Sequence, residues 1–551
     1  MAEVDVLYGL ALRSQRAGKL DEARRRYESI LVQQPDHAAS LRQLGIVHLQ
    51  QGRHAVGVQR LTESLRHDDS QAEAHALLGD ALHMLQRHQE AVLHYERALA
   101  CRSDFAHVHL KRGHALSELG RHEEAVQSYQ QVLGLRPNDG WAHFCCGNAL
   151  RALGRHTQSL ACYDAALAHN PHNAWAHANR GAALNSLDRT EEAIASYDRA
   201  ISLAPGEPQA YSNRANALLA LNRHVEAVDN CQRAIALKPD FAEAHWNLSL
   251  AHLSLGQFAD GWRAYEWRWT GGPHKLPMRR FAPPLWLGAP ALEGKTLLVH
   301  AEQGLGDSLQ MCRYLPLLVA RGARVVLEVQ PTLAPLLRRN FPQVQVLAQG
   351  EALPAFDLHC PMMSLPHACQ TTLQTIPGAT GYLSAHPACA ALWTQRLGNT
   401  TRRRVGLAWS GSATHTNDRH RSLHLSLLED IINLEFDWHS LQKEVRAADQ
   451  PALRRSRLTD HAQALTDFSD TAALLSQLDL VITVDTAVAH LAGAMGKPVW
   501  LMLPFMAEYR WMVARPDSPW YRSARLFRQP AVGDWRAVVA DVMTALGAFK
   551  T

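Results

Sequence analysis

The chain has 551 residues, more than a single hydrophobic core organises, so several domains are expected. Its composition, 47% hydrophobic and 20% charged, is that of an ordinary globular protein. A formal net charge of +4 over this length gives no basis for a nucleic-acid or membrane-surface partner.

The N-terminus, MAEVDVLYGL, lacks a basic segment followed by an apolar core, so no leader peptide is expected. The most apolar stretch, from Leu480 to Leu503, carries Asp485, His490 and Lys497 and is too polar for a membrane span. Nine cysteines are scattered without CxxC pairs, and Cys145 and Cys146 are neighbours in sequence. A reduced, cytoplasmic protein with neither disulfides nor a metal site is the expectation.

The first half is periodic. Gly45, Gly79, Gly113, Gly147 and Gly181 recur every 34 residues, and Ala215 and Ser249 continue the series. A second register holds Tyr27, Leu61, Tyr95, Tyr129, Tyr163, Tyr197, Cys231 and Tyr265. A third holds Pro35, Pro137, Pro171, Pro205, Pro239 and Pro273. Each unit reads as a helix bearing a small residue, a short turn, and a second helix that a proline stops. The small residue lets two helices approach closely. Period and pattern resemble the tetratricopeptide (TPR) family, over residues 1–272 in about eight units. The resemblance implies an α-solenoid, a superhelix whose concave face binds protein segments. Such arrays often self-associate, so a homo-oligomer stays open.

Two details refine the array. Asn179, Asn213 and Asn247 share one repeat position, and a row of amides suits the backbone of a bound peptide acceptor. This resembles the asparagine ladder in the TPR half of the O-GlcNAc transferases. The competing reading is of solvated helix residues. His75, His109, His143, His177 and His245 also share a position, one repeat apart, and are read as structural rather than metal-binding.

Residues 273–294 form a proline-rich joint, after which the period changes. Short apolar runs alternate with helical segments, which implies parallel sheets with crossover helices. The division expected is one Rossmann-like lobe at 295–400 on the acceptor side and a second at 401–551 on the donor side, with ligands at the carboxyl ends of the strands. The last helix, from about Asp534 to Leu546, is expected to pack back on the first lobe.

Three segments sit where that rule places chemistry. Gln303-Gly304-Leu305-Gly306-Asp307 follows the first strand; its glycines allow a tight turn, and Asp307 opens a helix. The plain alternative is an aspartate that holds backbone amides. Trp409-Ser410-Gly411 follows the first strand of the second lobe and leads into the polar loop His415 to Ser422, with Asn417 and Arg421. Arginine grips a diphosphate by its fork, although short basic loops are often only solvated. Asp485-Thr486-Ala487-Val488-Ala489-His490 runs from a strand into a helix, whose first amides with Thr486 form an anion site and His490 adds a hydrogen bond. Gln442 and Lys443 are placed against ribose or base, and Arg510 with Trp511 against the sugar.

GLGD after the first strand, the glycine/serine turn, and D-T-x-x-x-H-L-A-G-A-x-G-K-P-V near the end resemble the lipopolysaccharide heptosyltransferase family over most of residues 295–530. The resemblance implies a GT-B fold and inverting, metal-independent transfer from a nucleotide-sugar. It makes Asp307 the general base, and Asp485, Thr486 and His490 the diphosphate site. Ala487 stands where that family usually has glycine, which narrows the approach. TPR repeats joined to a GT-B transferase also resemble the O-GlcNAc transferases in architecture. The function expected is transfer of a hexosyl or heptosyl group to a hydroxyl of a protein held by the TPR groove, with no cofactor. The alternatives are an inactive TPR scaffold, or a transferase acting on a glycan or lipid.

Overall fold

A computed structural model describes residues 2–272, 278–378, 381–414 and 417–549. Pro273 and Pro277 of the proline-rich joint and His415 of the basic loop lie outside the described residues. The chain forms two compact units, Met1–Asn213 and Arg214–Thr551. The division falls inside the helix Pro208–Ala220 rather than near residue 272.

Helix pairs follow the registers throughout the first unit, for example Ala72–Met84 with His88–Cys101. The first two registers meet each other. A Cβ on Gly79, Gly113, Gly147 or Gly181 would come within 2.5 to 2.7 Å of the ring of Tyr95, Tyr129, Tyr163 or Tyr197, the register tyrosine of its own repeat. Small and large residues are therefore one packing device, repeated. The shared histidines close a turn: Nε2 of His109, His143 and His177 donates to the carbonyl six residues earlier, at 2.9 to 3.0 Å. Tyr211 does the same with its hydroxyl, to Pro205 at 3.2 Å. A fourth register, unnoticed in the sequence, is left-handed backbone between the helices of a pair. Gly18, Gly52, Gly120 and Gly154 hold it in the first unit together with Gln86 and Asp188, at φ of 57 to 74°.

The second unit holds the helices from His224 to Tyr265 and two parallel sheets. The first sheet comprises β1 (Thr296–His300), β2 (Arg324–Val329), β3 (Gln345–Ala348) and β4 (Leu358–Pro361), in the order β3-β2-β1-β4. The second comprises β5 (Arg404–Ala408), β6 (Asp437–Ser440), β7 (Leu480–Val484), β8 (Val499–Leu503) and β9 (Ala524–Arg528), in the order β6-β5-β7-β8-β9. Runs such as LVITV and VWLML are apolar at nearly every position because helices cover both faces. The strand order reverses beside β1 in one sheet and between β5 and β7 in the other, so the loops after these strands border the two crevices.

The last helices of the repeat pattern share a core with the α/β part. Leu253, Phe258, Trp262 and Tyr265 pack in one cluster with Leu309, Tyr314, Tyr509, Trp511 and Trp520, which is why they fall in the second unit. The described part of the joint is docked too: Trp286 is buried and its amide donates to the His359 carbonyl at 2.8 Å. The C-terminal helix Trp535–Phe549 corrects an expectation. Its apolar face (Val538, Val542, Leu546) is buried with Trp438, Ile431 and Phe527 in the core of the second lobe, not against the first.

Candidate active site

The turn after β1 presents Asp307 in the third position of the helix Leu305–Met311. One carboxylate oxygen accepts the Gly304 amide at 2.7 Å, so the plain reading of this aspartate holds for half of it. The other pairs with Arg510, which reaches across from the second lobe. Arg510 is buried, and its Nε donates to the Gln310 side chain at 2.7 Å while another nitrogen pairs with Glu508.

Opposite lies the helix Ala487–Ala494, which starts directly after β7. Thr486 is its N-cap residue in extended conformation, but its hydroxyl lies 3.1 Å from that of Thr483 and does not cap the helix. The first helix amides are thus without a side-chain cap, as an anion site requires. His490 is buried, with Nδ1 at 2.9 Å from the Tyr521 hydroxyl and its ring stacked near Trp511. Burial, then Arg510, Arg313 and Arg421, hold its pKa well below the usual histidine range, so the ring is neutral. Asp485 lies 3.8 Å from His490 Nε2, and burial with the Glu508 charge pushes it up to about 6. The lobes touch here: a Cβ on Gly306 would sit 2.6 Å from His490 Cδ2.

Arg421 closes the second sheet's crevice. It donates to the Asp485 carbonyl at 3.2 Å and lies across Gly411, where a Cβ would meet its guanidinium at 2.6 Å. Asn417 begins the short helix Asp418–Arg421 that carries it. Asp307, Arg510, Gly304, Gly306, Arg421, Gly411 and the turn 485–490 are therefore gathered around the strand ends, through the contacts given above.

Other expected ligands serve the frame. Gln442 is buried and its amide is taken by the Trp409 and Ser410 amides at 3.3 Å and the Ser410 carbonyl at 3.0 Å. Trp409 is fully buried and donates to Asp449 at 3.0 Å. The Lys443 ammonium donates to the Ala462 carbonyl at 3.0 Å. In the first unit, Asn179 donates to Asn148 at 2.8 Å and Asn213 accepts from Gln209 at 2.9 Å. Asn247, in the second unit, is buried. Among the described residues no group of three or more metal-ligating side chains comes together. A cavity of about 580 Å³ lined by Arg402, Asp437, Trp438 and Arg457 opens at the opposite end of β5 and β6.

Sequence reasoning missed Gln310, Arg313 and Tyr521. Arg313 leaves the first lobe to donate to the Trp520 carbonyl at 3.0 Å, the reverse of the Arg510 crossing. None of the three lies in a motif, so only contact reveals them.

Family models match two parts of the chain. The model of glycosyltransferase family 9 (heptosyltransferase) matches residues 415–500, which contain Arg421, Gln442, Lys443 and the turn 485–490. Tetratricopeptide repeat models match residues 8–58, 43–104, 113–151, 147–208 and 208–241. The chain carries a heptosyltransferase-family domain behind TPR repeats. Asp307, Gly304, Gly306, Trp409, Ser410, Gly411 and Arg510 lie outside the matched segment of that domain. Protein FlbA of Caulobacter vibrioides is 28% identical over 323 residues, 54% of this chain and 53% of FlbA, so the match spans about half the length of that relative. Among solved structures, MamA of Desulfovibrio magneticus RS-1 is 22% identical with a TM-score of 0.30, covering 31% of this chain and 96% of MamA. A TPR protein of Cytophaga hutchinsonii is 15% identical with a TM-score of 0.37, covering 44% of this chain and 99% of its own. Likenesses at this level bear on neither ligand nor partner. No helix among the described residues is long and apolar enough to cross a membrane.

Proposed function

We propose that the chain is an inverting, metal-independent glycosyltransferase that moves a hexosyl or heptosyl group from a nucleotide-sugar to a hydroxyl of a protein acceptor bound by its TPR repeats. The observation that carries this reading is the meeting of the Asp307 turn with the 485–490 turn, where Gly306 lies against His490, together with the pairing of Asp307 with Arg510 from the second lobe. Asp307 takes the proton of the acceptor hydroxyl as that oxygen attacks the anomeric carbon. The bond from that carbon to the diphosphate breaks on the opposite face, which inverts the configuration. The uncapped amides after Thr486, with Arg421 and neutral His490, stabilise the departing diphosphate in place of a metal. A carboxylate paired with arginine is a weak base, so the reaction needs Arg510 drawn toward the leaving group, where its charge is also useful. For the acceptor, the side-chain amides of Asn179, Asn213 and Asn247, one repeat apart, are the groups offered to a peptide backbone.

The test is thermal stabilisation of the full chain by ADP-, UDP-, GDP- and dTDP-sugars. A donor at a hundred times its Kd adds about 2.7 kcal/mol, which is readily seen. One nucleotide family should raise Tm, with the shift lost in His490→Ala and kept in Asp307→Ala. EDTA should leave transfer unchanged, and the product should show inverted anomeric configuration by NMR. No shift with any nucleotide would leave a binding scaffold as the reading.

A further inference from the structure

The register tyrosine changes its target in the last repeat. Tyr95 and Tyr163 give their hydroxyls to Asp80 and Asn148 of their own repeats, at 2.7 and 2.8 Å. Tyr265 occupies the same register, yet its hydroxyl lies 3.2 Å from the side-chain amide of Gln303, in the turn that carries Asp307. Its ring packs edge-on against Tyr509 at 5.7 Å, next to Arg510. One tyrosine of the repeat pattern thus touches the neighbours of both members of the Asp307–Arg510 pair.

Three residues further on, Arg268 is buried and anchors the start of the same turn. It pairs with Glu302 at 3.0 Å and with Glu266 at 2.8 Å, and donates to Ser364 at 2.8 Å. Glu302 also accepts the Met363 amide at 3.2 Å. A buried arginine meets two carboxyl groups here with several hydrogen bonds, and removing its partners leaves an uncompensated charge. Beside it, Phe258 stacks on Trp520 at 5.5 Å, and Trp520 is the residue whose carbonyl receives Arg313. Both arginine crossings between the lobes are therefore buttressed by the last repeat.

We infer that Tyr265 and Arg268 are positioning residues for transfer: the final TPR repeat is part of the catalytic apparatus and holds the 302–307 turn in the geometry that Asp307 needs. The inference rests on the assignment of Asp307 as base. It makes the end of the acceptor-binding array and the catalytic turn one mechanical piece, so that a load on the repeat reaches the base directly.

The experiment uses the full chain with Tyr265→Phe and Arg268→Lys, each of which keeps most of the side chain. Hydrogen exchange of the 302–308 segment, which needs no substrate, should speed up by about tenfold or more while β1 and β2 keep their protection. With the nucleotide-sugar found by stabilisation, donor Kd should stay within about twofold of wild type while kcat falls by about ten- to a hundredfold, because small misplacements of a base are costly. Unchanged exchange at 302–308, or unchanged kcat, overturns the inference. Loss of donor binding in step with kcat in Tyr265→Phe also overturns it, since the residue would then serve only the fold. Full transfer by Asp307→Ala would instead sink the base assignment, and the exchange result would still show whether the repeat holds the turn.

Discussion

The two compact units obey different rules. In the first, the same local contacts recur in successive repeats: glycine against the tyrosine of its own repeat, histidine to a carbonyl six residues back. In the second, the decisive contacts join residues about two hundred positions apart, such as Arg510 to Asp307 and Arg313 to Trp520. Local rules make a scaffold that tolerates change repeat by repeat, whereas long-range rules make a site that one residue dismantles.

That contrast breaks first at the proposed base. Asp307→Ala should lower transfer by about two to four orders of magnitude with the fold and donor binding retained; steady-state rates beside a donor titration check it. Equal loss of donor affinity would show the aspartate to be a frame residue.

A matched pair sharpens the comparison. Gly147→Ala and Gly306→Ala each drive a Cβ to 2.6 or 2.7 Å from a locked ring, Tyr163 in one case and His490 in the other. Each overpacking should cost about 1–3 kcal/mol in denaturant unfolding. Only Gly306→Ala should also weaken donor binding, because His490 belongs to the proposed diphosphate site. Equal effects on donor affinity would remove the distinction between the units.

The pH dependence separates them further. Burial pushes Glu302 up to about 7, against the pull of Arg268. A carboxyl with a raised folded pKa binds its proton more tightly folded than unfolded. Its contribution is therefore complete below the ordinary glutamate range and is lost as pH rises toward 7. Glu302→Gln should flatten the fall in stability over that window, leaving the slope from Asp485, which burial pushes up to about 6. An unaltered pH profile would mean that Glu302 stays ionised throughout.

The smallest effects belong to the turns of the array. Gly154→Ala forces a side chain into left-handed backbone at φ 71° and should cost about 1 kcal/mol. Gln86, already at φ 61°, should gain a comparable amount on replacement by glycine. Thermal melts of the two variants should shift in opposite directions.

Much of this was legible in the sequence for particular reasons. The 34-residue spacing exposed the glycine, tyrosine and proline registers because each repeat solves one packing problem with the same residues. GLGD and DTAVAHLAGA were legible because a strand-to-helix turn is written in contiguous residues. Gln442, Lys443 and Trp409 are legible only as neighbours of strand ends, and the contacts they make with neighbouring backbone and Asp449 appear only in the fold. β9 carries no strand signal because ARLFR is short and edged by charge, and the resting place of the C-terminal helix carries no motif.

By itself, then, the sequence determined a repeat array, two parallel sheets and the turns at their switch points, since these follow from periodicity and local backbone chemistry. Tertiary structure alone decided that Arg510 pairs with Asp307, that the last repeat folds with the α/β part, and that Tyr265 and Arg268 reach the turn that carries Asp307. Those pairings join segments far apart along the chain, and a one-dimensional pattern holds no record of which distant charges share a buried site.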